Sequence, residues 1–350
     1  MVDWPSQLVA MITTSFLSST ASTEISFDLA GARPPNPSLA HLRHRIATLT
    51  QRYVTPDHLQ DRFEELPDQF RCPRPRAWAK IDWTAIHPDQ VRGISVATFC
   101  RILVGAINTE APIHGYTQAS RQYLEQFYPA MAHFVGGQVD DAGQSLALGL
   151  WEIEEKRHTP ALVALHTRLR GQKPEIIPHA ARPYTPSGDP RQDLYRHGLH
   201  RIATEYGATS LYLWMMAYTT GPLQAVLGEL LIDEINHMTK FWGFGRWAYP
   251  KTGLHTIALT LTQAMAQKIR NPQIQGSLLH TLRRMMAELG WGHWSPTHRL
   301  TLIYSFDQVM RGLWQWDRTL SQDYLDSVLG TQTAVNQGEP SLRKPALEGV

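Results

Sequence analysis

Two copies of one four-residue word, Glu-x-x-His, hold most of the chemistry that this sequence offers. They read Glu155-Lys156-Arg157-His158 and Glu234-Ile235-Asn236-His237, and each is preceded by a further acid, Glu154 in the first and Asp233 in the second. On a helix, positions i and i+3 share a face, so each word aims one carboxylate and one imidazole at a common point. That mixture of oxygen and nitrogen donors suits iron or manganese. A chain of this composition contains about one Glu-x-x-His by chance. The weight therefore rests on the recurrence, on the preceding acids and on the helical context of both copies.

Two more carboxylates sit where a metal pair would need them. A helical pattern from about Pro88 to Gln126 carries the stripe Phe99, Leu103, Ala106, Glu110, Ile113, in which Glu110 interrupts an apolar face. A second helix, from about Gln192 to Tyr218, places Ile202, Glu205, Thr209, Tyr212 and Met216 on one side. A buried carboxylate without a partner is expensive, so each acid needs a cation or a metal. Glu125 is the rival to Glu110 on the first helix, and a solvated helix end is the alternative reading for Glu110 itself. The order is then helix with one Glu, helix with acid-Glu-x-x-His, twice over. Four-helix bundles of the ferritin-like di-metal class have this arrangement. The expected fold is all-α, a ferritin-like four-helix bundle with flanking helices. The expected centre has Glu155 and Glu234 bridging two metals, capped by Glu110 with His158 and by Glu205 with His237. Asp233 would accept the free ring N–H of His158, and Glu154 that of His237.

The remaining elements frame these four helices. Residues 1–38 are rich in Ser, Thr and Pro and read as a flexible arm. A single domain is expected over 39–330, opening with a helix at 39–54. Gly136, Gly137 and Gly143 mark a long loop before a helix starting near Gln144. Pro160 follows His158 by two residues and removes the hydrogen bond to the Lys156 carbonyl, so the spacing predicts a kink beside the site. Five prolines in 171–190 read as a linker crossing between the helix pairs. Gly221-Pro222 turns the chain into the fourth helix, expected from Leu223 to about Phe244. The pattern stays helical from Thr252 to Tyr324 with a break near Trp291 to Pro296, and 331–350 read as a disordered tail.

Composition narrows the class. The 350 residues are 43% apolar and 18% charged, with a net charge of +2, which fits a globular protein and gives no whole-chain attraction to nucleic acid. Cys72 and Cys100 form no CxxC and no disulfide framework, which points to a reducing cytoplasm. No apolar run reaches the ~18 residues of a membrane span, and no signal peptide is evident.

The residues around the candidate ligands resemble the soluble acyl-acyl carrier protein desaturases. Val104-Gly105, Thr109-Glu110 and Tyr116 are similar to that family's first ligand helix, and Trp151-Glu152-Ile153-Glu154-Glu155-Lys156-Arg157-His158 to its second. Glu205-Tyr206-Gly207-Ala208-Thr209 resembles the third and Asp233-Glu234-Ile235-Asn236-His237 the fourth. The resemblance spans roughly residues 75–325 and is concentrated at the ligands. It departs at Ala208, where the family has a Thr near the dioxygen site and this chain has Thr209 one residue later. It departs again at Asn236, where the family usually has Arg.

The resemblance implies two Fe ions, dioxygen as co-substrate, and two electrons from a ferredoxin-type donor. It also implies desaturation of an acyl chain held as an acyl carrier protein thioester, and a homodimer. It makes Glu155, Glu234 and Thr209 the catalytic candidates, Thr209, Leu213 and Met216 candidate walls of an acyl tunnel, and Trp78 or Trp83 the electron-relay tryptophan. Arg74, Arg76 and Lys80 are a candidate docking patch for the acidic carrier, or else solvated loop charges. Other readings are an N-oxygenase or hydroxylase of a small molecule, and a non-enzymatic ferritin-like metal-binding protein. One N-oxygenase subfamily has a third His where this chain has Leu230. A ribonucleotide reductase subunit would need a radical tyrosine, for which Tyr206 and Tyr212 are available, but the surrounding motifs do not resemble that family.

Overall fold

A computed structural model describes residues 37–177, 184–250 and 287–335. These are mostly helical, with one two-stranded hairpin. Three helices lead in: α1 (Leu39–Tyr53), α2 (Pro56–Glu64) and α3 (Leu66–Arg71). Then come α4 (Val96–Glu110), α5 (Ile113–Leu124), α6 (Pro129–Gly136), the strands β1 (Gln138–Val139) and β2 (Ser145–Ala147), α7 (Leu150–Glu155) and α8 (His158–Arg170). The two longest follow, α9 (Pro190–Ala217) and α10 (Gly221–Ala248). The chain closes with α11 (Pro296–Asp317) and α12 (Gln322–Val335).

Local chemistry sets the ends that matter. The helix expected from Pro88 begins instead at Val96, where the Ser95 side chain caps it by accepting from the Thr98 N–H. It stops after Glu110, because Pro112 brings no N–H to continue the ladder, and α5 resumes at Ile113. Glu110 is thus the last residue of its helix. The helix expected from Gln144 begins at Leu150, because 145–147 pair with 138–139 in an antiparallel hairpin. Gly137 (φ +74) makes the hairpin possible: a Cβ there would lie 1.9 Å from the Ala147 carbonyl oxygen.

The kink expected from Pro160 falls inside the first metal word. Helix α7 ends at Glu155, Lys156 and Arg157 form a turn, and α8 starts at His158. Helices α9 and α10 run unbroken for 28 residues each. Asp189 caps α9 by accepting from the Gln192 N–H, with Pro190 at the first helical position.

Helix α9 packs along α10, and α4 along α8, while α7 and α8 both touch α10. Helices α1, α2, α11 and α12 cover this arrangement, and Phe63, Trp242 and Trp316 are buried in the layer between. Among the described residues no helix is long and apolar enough to cross a membrane. The arm expected at 1–38 lies outside the described residues apart from its last two. The expected tail at 331–350 needs a later boundary, since the α12 backbone continues to Val335.

Candidate metal centre

The four ligand-bearing segments converge on one buried point. Glu110, Glu155, His158 and Glu234 form one group whose donor atoms all lie within 4.8 Å of one another. Glu155, Glu205, Glu234 and His237 form a second. The groups overlap in Glu155 and Glu234, the two residues that the motif pattern made shared. Glu125, the rival of Glu110, caps the end of α5 with its side chain 57% exposed and paired with Arg121.

The imidazoles are oriented from behind. His158 Nε2 lies 3.4 Å from Asp233 Oδ2, and His237 Nε2 lies 3.1 Å from Glu154 Oε2. Each Nδ1 therefore faces the carboxylates, at 3.1 Å from Glu155 and from Glu234 for His158 and 2.8 Å from Glu155 for His237. Even so, Nδ1 of both histidines, Oε1 of Glu234 and Oγ1 of Thr209 are buried without a hydrogen-bond partner. Donor atoms that converge in a buried space without hydrogen-bond partners are what a cation satisfies. Four carboxylates with two imidazoles fit a pair of divalent metals.

The charges say the same. Burial and the nearby Glu155 charge push Glu110 up to about 8, and the same two causes push Glu205 up to about 7. Glu234 is raised as well, by burial and then by Glu155. Glu155 itself, despite burial, is held well below the ordinary carboxylate range by the imidazoles of His158 and His237. Burial alone would lower both histidines, but the surrounding carboxylates raise them well above their ordinary value. The ion-free cluster thus holds extra protons that bound metal would displace.

A clamp that motif reading missed holds the two outer acids. Arg76 gives its backbone N–H to Glu154 (2.7 Å), Nε to Asp233 (2.8 Å), and Nη1 to Glu229 (2.6 Å). Arg157 Nη2 donates to Asp233 at 3.1 Å. Despite burial, the His158 imidazole and Arg76 keep Asp233 down to about 2. Arg76 therefore leaves the expected docking patch, and only Arg74 and Lys80 of that trio are exposed. The signal was available: two buried acids beside a metal site need cationic partners.

Three aromatic side chains touch this centre. Trp78 Nε1 donates to Asp233 Oδ2 at 2.7 Å and its ring stacks on His158 with centroids 6.3 Å apart. Of the two relay candidates it is Trp78, not Trp83, that has this contact. Trp151 Nε1 donates to Glu155 at 2.9 Å, and Tyr212 Oη donates to Glu110 at 3.2 Å. Tyr206, in contrast, donates to the Phe306 carbonyl.

A narrow, partly open cleft lies beside the His237 side of the centre, between α5, α9 and α10. Leu194, Gly198, Ile202, Phe241, Trp242 and Phe244 give it apolar walls. Arg201 also lines it, one turn from Glu205, and the wall residue Phe241 lies one turn from His237. The Trp151 ring stands between, 5.0 Å from Phe241 and 6.4 Å from His237. The expected walls Thr209, Leu213 and Met216 do not line this cleft. They are fully buried, and only Thr209 has a polar atom left without a partner.

No protein-family model matches the chain, and no curated protein or solved structure matches it either.

Proposed function

We propose that this protein is a ferritin-like di-iron oxidase that introduces a double bond into a saturated acyl chain, carried as an acyl carrier protein thioester. Dioxygen and two external electrons would drive it. One observation carries the reading: two donor groups that share Glu155 and Glu234, with buried unpaired donor atoms, beside an apolar cleft. Glu110 with His158 would hold one iron, Glu205 with His237 the other, and Glu155 and Glu234 both. The pair would supply dioxygen reduction and the abstraction of hydrogen from adjacent methylenes.

The chain's own residues have separable tasks. Asp233 and Glu154 back the imidazoles so that each Nδ1 faces the carboxylate cluster, where it would be free to hold a metal. Trp78, Asp233 and His158 form a continuous contact from the half-buried surface inward, a route for electrons from a ferredoxin-type donor. The Thr209 hydroxyl, buried and unpaired, can hold a proton beside Glu205, one turn away. The cleft walls exclude water and orient an alkyl chain by shape. A homodimer with an acidic carrier docking near Arg74 and Lys80 completes the proposal.

The test is metal content per chain after anaerobic Fe(II) loading, then the optical response to dioxygen. Turnover with acyl carrier protein thioesters, ferredoxin and its reductase follows, with alkene as the readout. About two irons per chain and an alkene support the proposal. Dioxygen consumption without alkene at any chain length overturns the desaturase part. One observation favours a second reading, an oxygenase of a small polar molecule: Ser120 and His197 bring a hydroxyl and an imidazole, 2.7 Å apart, to the cleft wall. A hydroxylated or N-oxygenated product would select it.

A further inference from the structure

The cleft between α5, α9 and α10 has two unlike walls. On the α10 side, Phe241 and Phe244 present ring carbons. On the α9 side, His197 and Arg201 stand one turn apart. Ser120 of α5 donates its hydroxyl proton to the Tyr116 carbonyl at 2.8 Å and takes a second bond from His197 Nε2 at 2.7 Å. Burial and then the Arg201 charge hold the His197 imidazole well below its ordinary pKa, so it is neutral. This pair adds polarity to the wall but no charge.

The charge comes from arginine alone. Among the described residues sixteen line the cleft, two of them arginines and none an aspartate or glutamate. The two arginines are placed differently. Arg246 Nε pairs with Asp317 Oδ1 at 2.8 Å. The Arg201 guanidinium lies over the rings of Tyr116 and Trp151, 5.3 and 5.9 Å from their centroids, and its charge also reaches Glu205, one turn on. Stacking engages the flat face of a guanidinium, whereas its N–H donors lie in the plane and match the two oxygens of a carboxylate. An apolar space with a cation and no acid on its walls is complementary to an amphipathic anion.

Position gives that anion a direction. The α9 residues of the lining run from Leu194 to Ile202, with Arg201 at the end nearest Glu205. Leu194 lies about 10 Å from Arg201 along the helix. Between them, a Cβ built at Gly198 meets no atom within 4 Å, so the wall is open there. We infer that the cleft binds free, unbranched carboxylic acids of medium length, with the carboxylate on the Arg201 guanidinium and the chain running past Gly198 toward Leu194. A carrier-bound acyl chain would enter the other way round, because its carbonyl end is tethered outside. The free acid is therefore a different ligand for the same space. The inference needs the cleft and its charge, not the metals, so it stands or falls apart from the di-iron reading.

Isothermal titration calorimetry of the full-length chain with octanoate, octanol and octylamine tests it. Octanoate should bind about tenfold more tightly than octanol, and octylamine more weakly than either. Arg201→Gln should bring octanoate to the level of octanol and leave octanol unchanged, and Arg201→Lys should restore part of the difference. Gly198→Leu, which keeps the charge and fills the space, should abolish binding of both. Equal affinity for the acid and the alcohol, no binding of octanoate, or octanoate binding that is unchanged in Arg201→Gln or in Gly198→Leu overturns the inference. The comparison of the three head groups uses the wild type, so it decides the matter even if Arg201→Gln fails to fold. Iron content, measured separately, decides the di-iron reading.

Discussion

The two halves of the candidate metal centre start from the same four-residue word and finish with different surroundings. In the first, a turn at Lys156 and Arg157 separates Glu155 from His158, and the imidazole is backed by Asp233, Trp78 and two arginines. In the second, Glu234 and His237 lie inside an unbroken helix, and the imidazole is backed by Glu154 and flanked by Trp151 and the cleft. The broken helix places Arg157 where its guanidinium reaches Asp233 and lies over the Trp78 ring, 5.2 Å from its centroid. The straight helix continues past its ligands to give the cleft Phe241, Trp242 and Phe244. One half is built toward a charged, aromatic surface and the other toward an apolar space. On the proposed function, the charged side would take electrons and the apolar side the substrate.

The largest expected effect comes from a residue that the halves share. Glu155→Ala removes a donor from both groups and should take iron from about two per chain to near none. His158→Ala and His237→Ala each touch one half and should each leave roughly one. Metal analysis beside circular dichroism reads this out, and equal iron in Glu155→Ala and wild type, with the fold retained, would show that the two groups are not one centre.

Two cations near the cluster, the half-buried Arg76 and the buried Lys240, should also differ. Arg76 satisfies three acids, so Arg76→Met strands buried charge on Asp233 and should lower the unfolding free energy by about 3 kcal/mol. Lys240, three residues after His237, is fully buried and pairs with Glu65 at 3.5 Å, and burial lowers its pKa. Lys240→Met should be neutral or stabilise by about 1 kcal/mol. Urea unfolding of the two variants tests the contrast, and a larger loss at Lys240 would reverse it.

The metal-free protein should lose stability as pH rises from about 5 to about 8. Glu110 and Glu205 are carboxyls whose folded values, about 8 and about 7, lie above the ordinary 4.5. The folded state then binds more protons than the unfolded one in that window, so stability falls with rising pH. The raised histidines act in the same direction, their contribution present at low pH and lost as pH rises. Glu110→Gln should flatten the upper part of the slope more than Glu205→Gln. Thermal melts of the apo variants across the window measure it, and a rising slope in the wild type would contradict the charge assignment. Iron affinity should run the other way, increasing with pH as the ligands shed protons.

How much of this was legible depended on how local the signal was. The Glu-x-x-His words, the bounds of α9 and α10 to within a few residues, and the break set by Pro160 all follow from neighbours in sequence. Glu110 and Glu205 were visible as lone acids on apolar faces. Arg76 and Trp78 lie in an irregular segment 78 and 155 residues from the acids they bond, Glu154 and Asp233, so no periodicity could announce them. The hairpin at 138–147 was hidden because its glycines also fit an open loop. The cleft needs three helices that meet only after folding, so no local pattern announced it, and Thr209, Leu213 and Met216 do not line it.

A smaller contrast lies between the tryptophans of the two halves. Trp78→Phe removes the hydrogen bond to Asp233 and should slow reduction of the oxidised pair by an external donor by about tenfold, at unchanged iron content. Trp151→Phe keeps that route and should leave the reduction rate close to wild type while altering the cleft. Stopped-flow reduction under anaerobic conditions distinguishes them, and equal slowing would mean that Trp78 has no special place.

The mildest test concerns the cleft alone. A Cβ built at Gly198 meets no atom within 4 Å, because the residue faces the open space between α9 and α10. Gly198→Leu therefore fills volume that a substrate chain would use, without pressing on the fold. It also replaces the least favourable non-proline residue of a helix interior, so stability should rise by about 0.5–1 kcal/mol. Iron content and the dioxygen response should stay as in wild type, since Gly198 lies nearly two turns before Glu205. KM for the organic substrate should increase while the electron-entry side is untouched. If the variant turns over a long-chain substrate with unchanged KM, the cleft is not where that substrate binds, and the division between the two halves loses its substrate side.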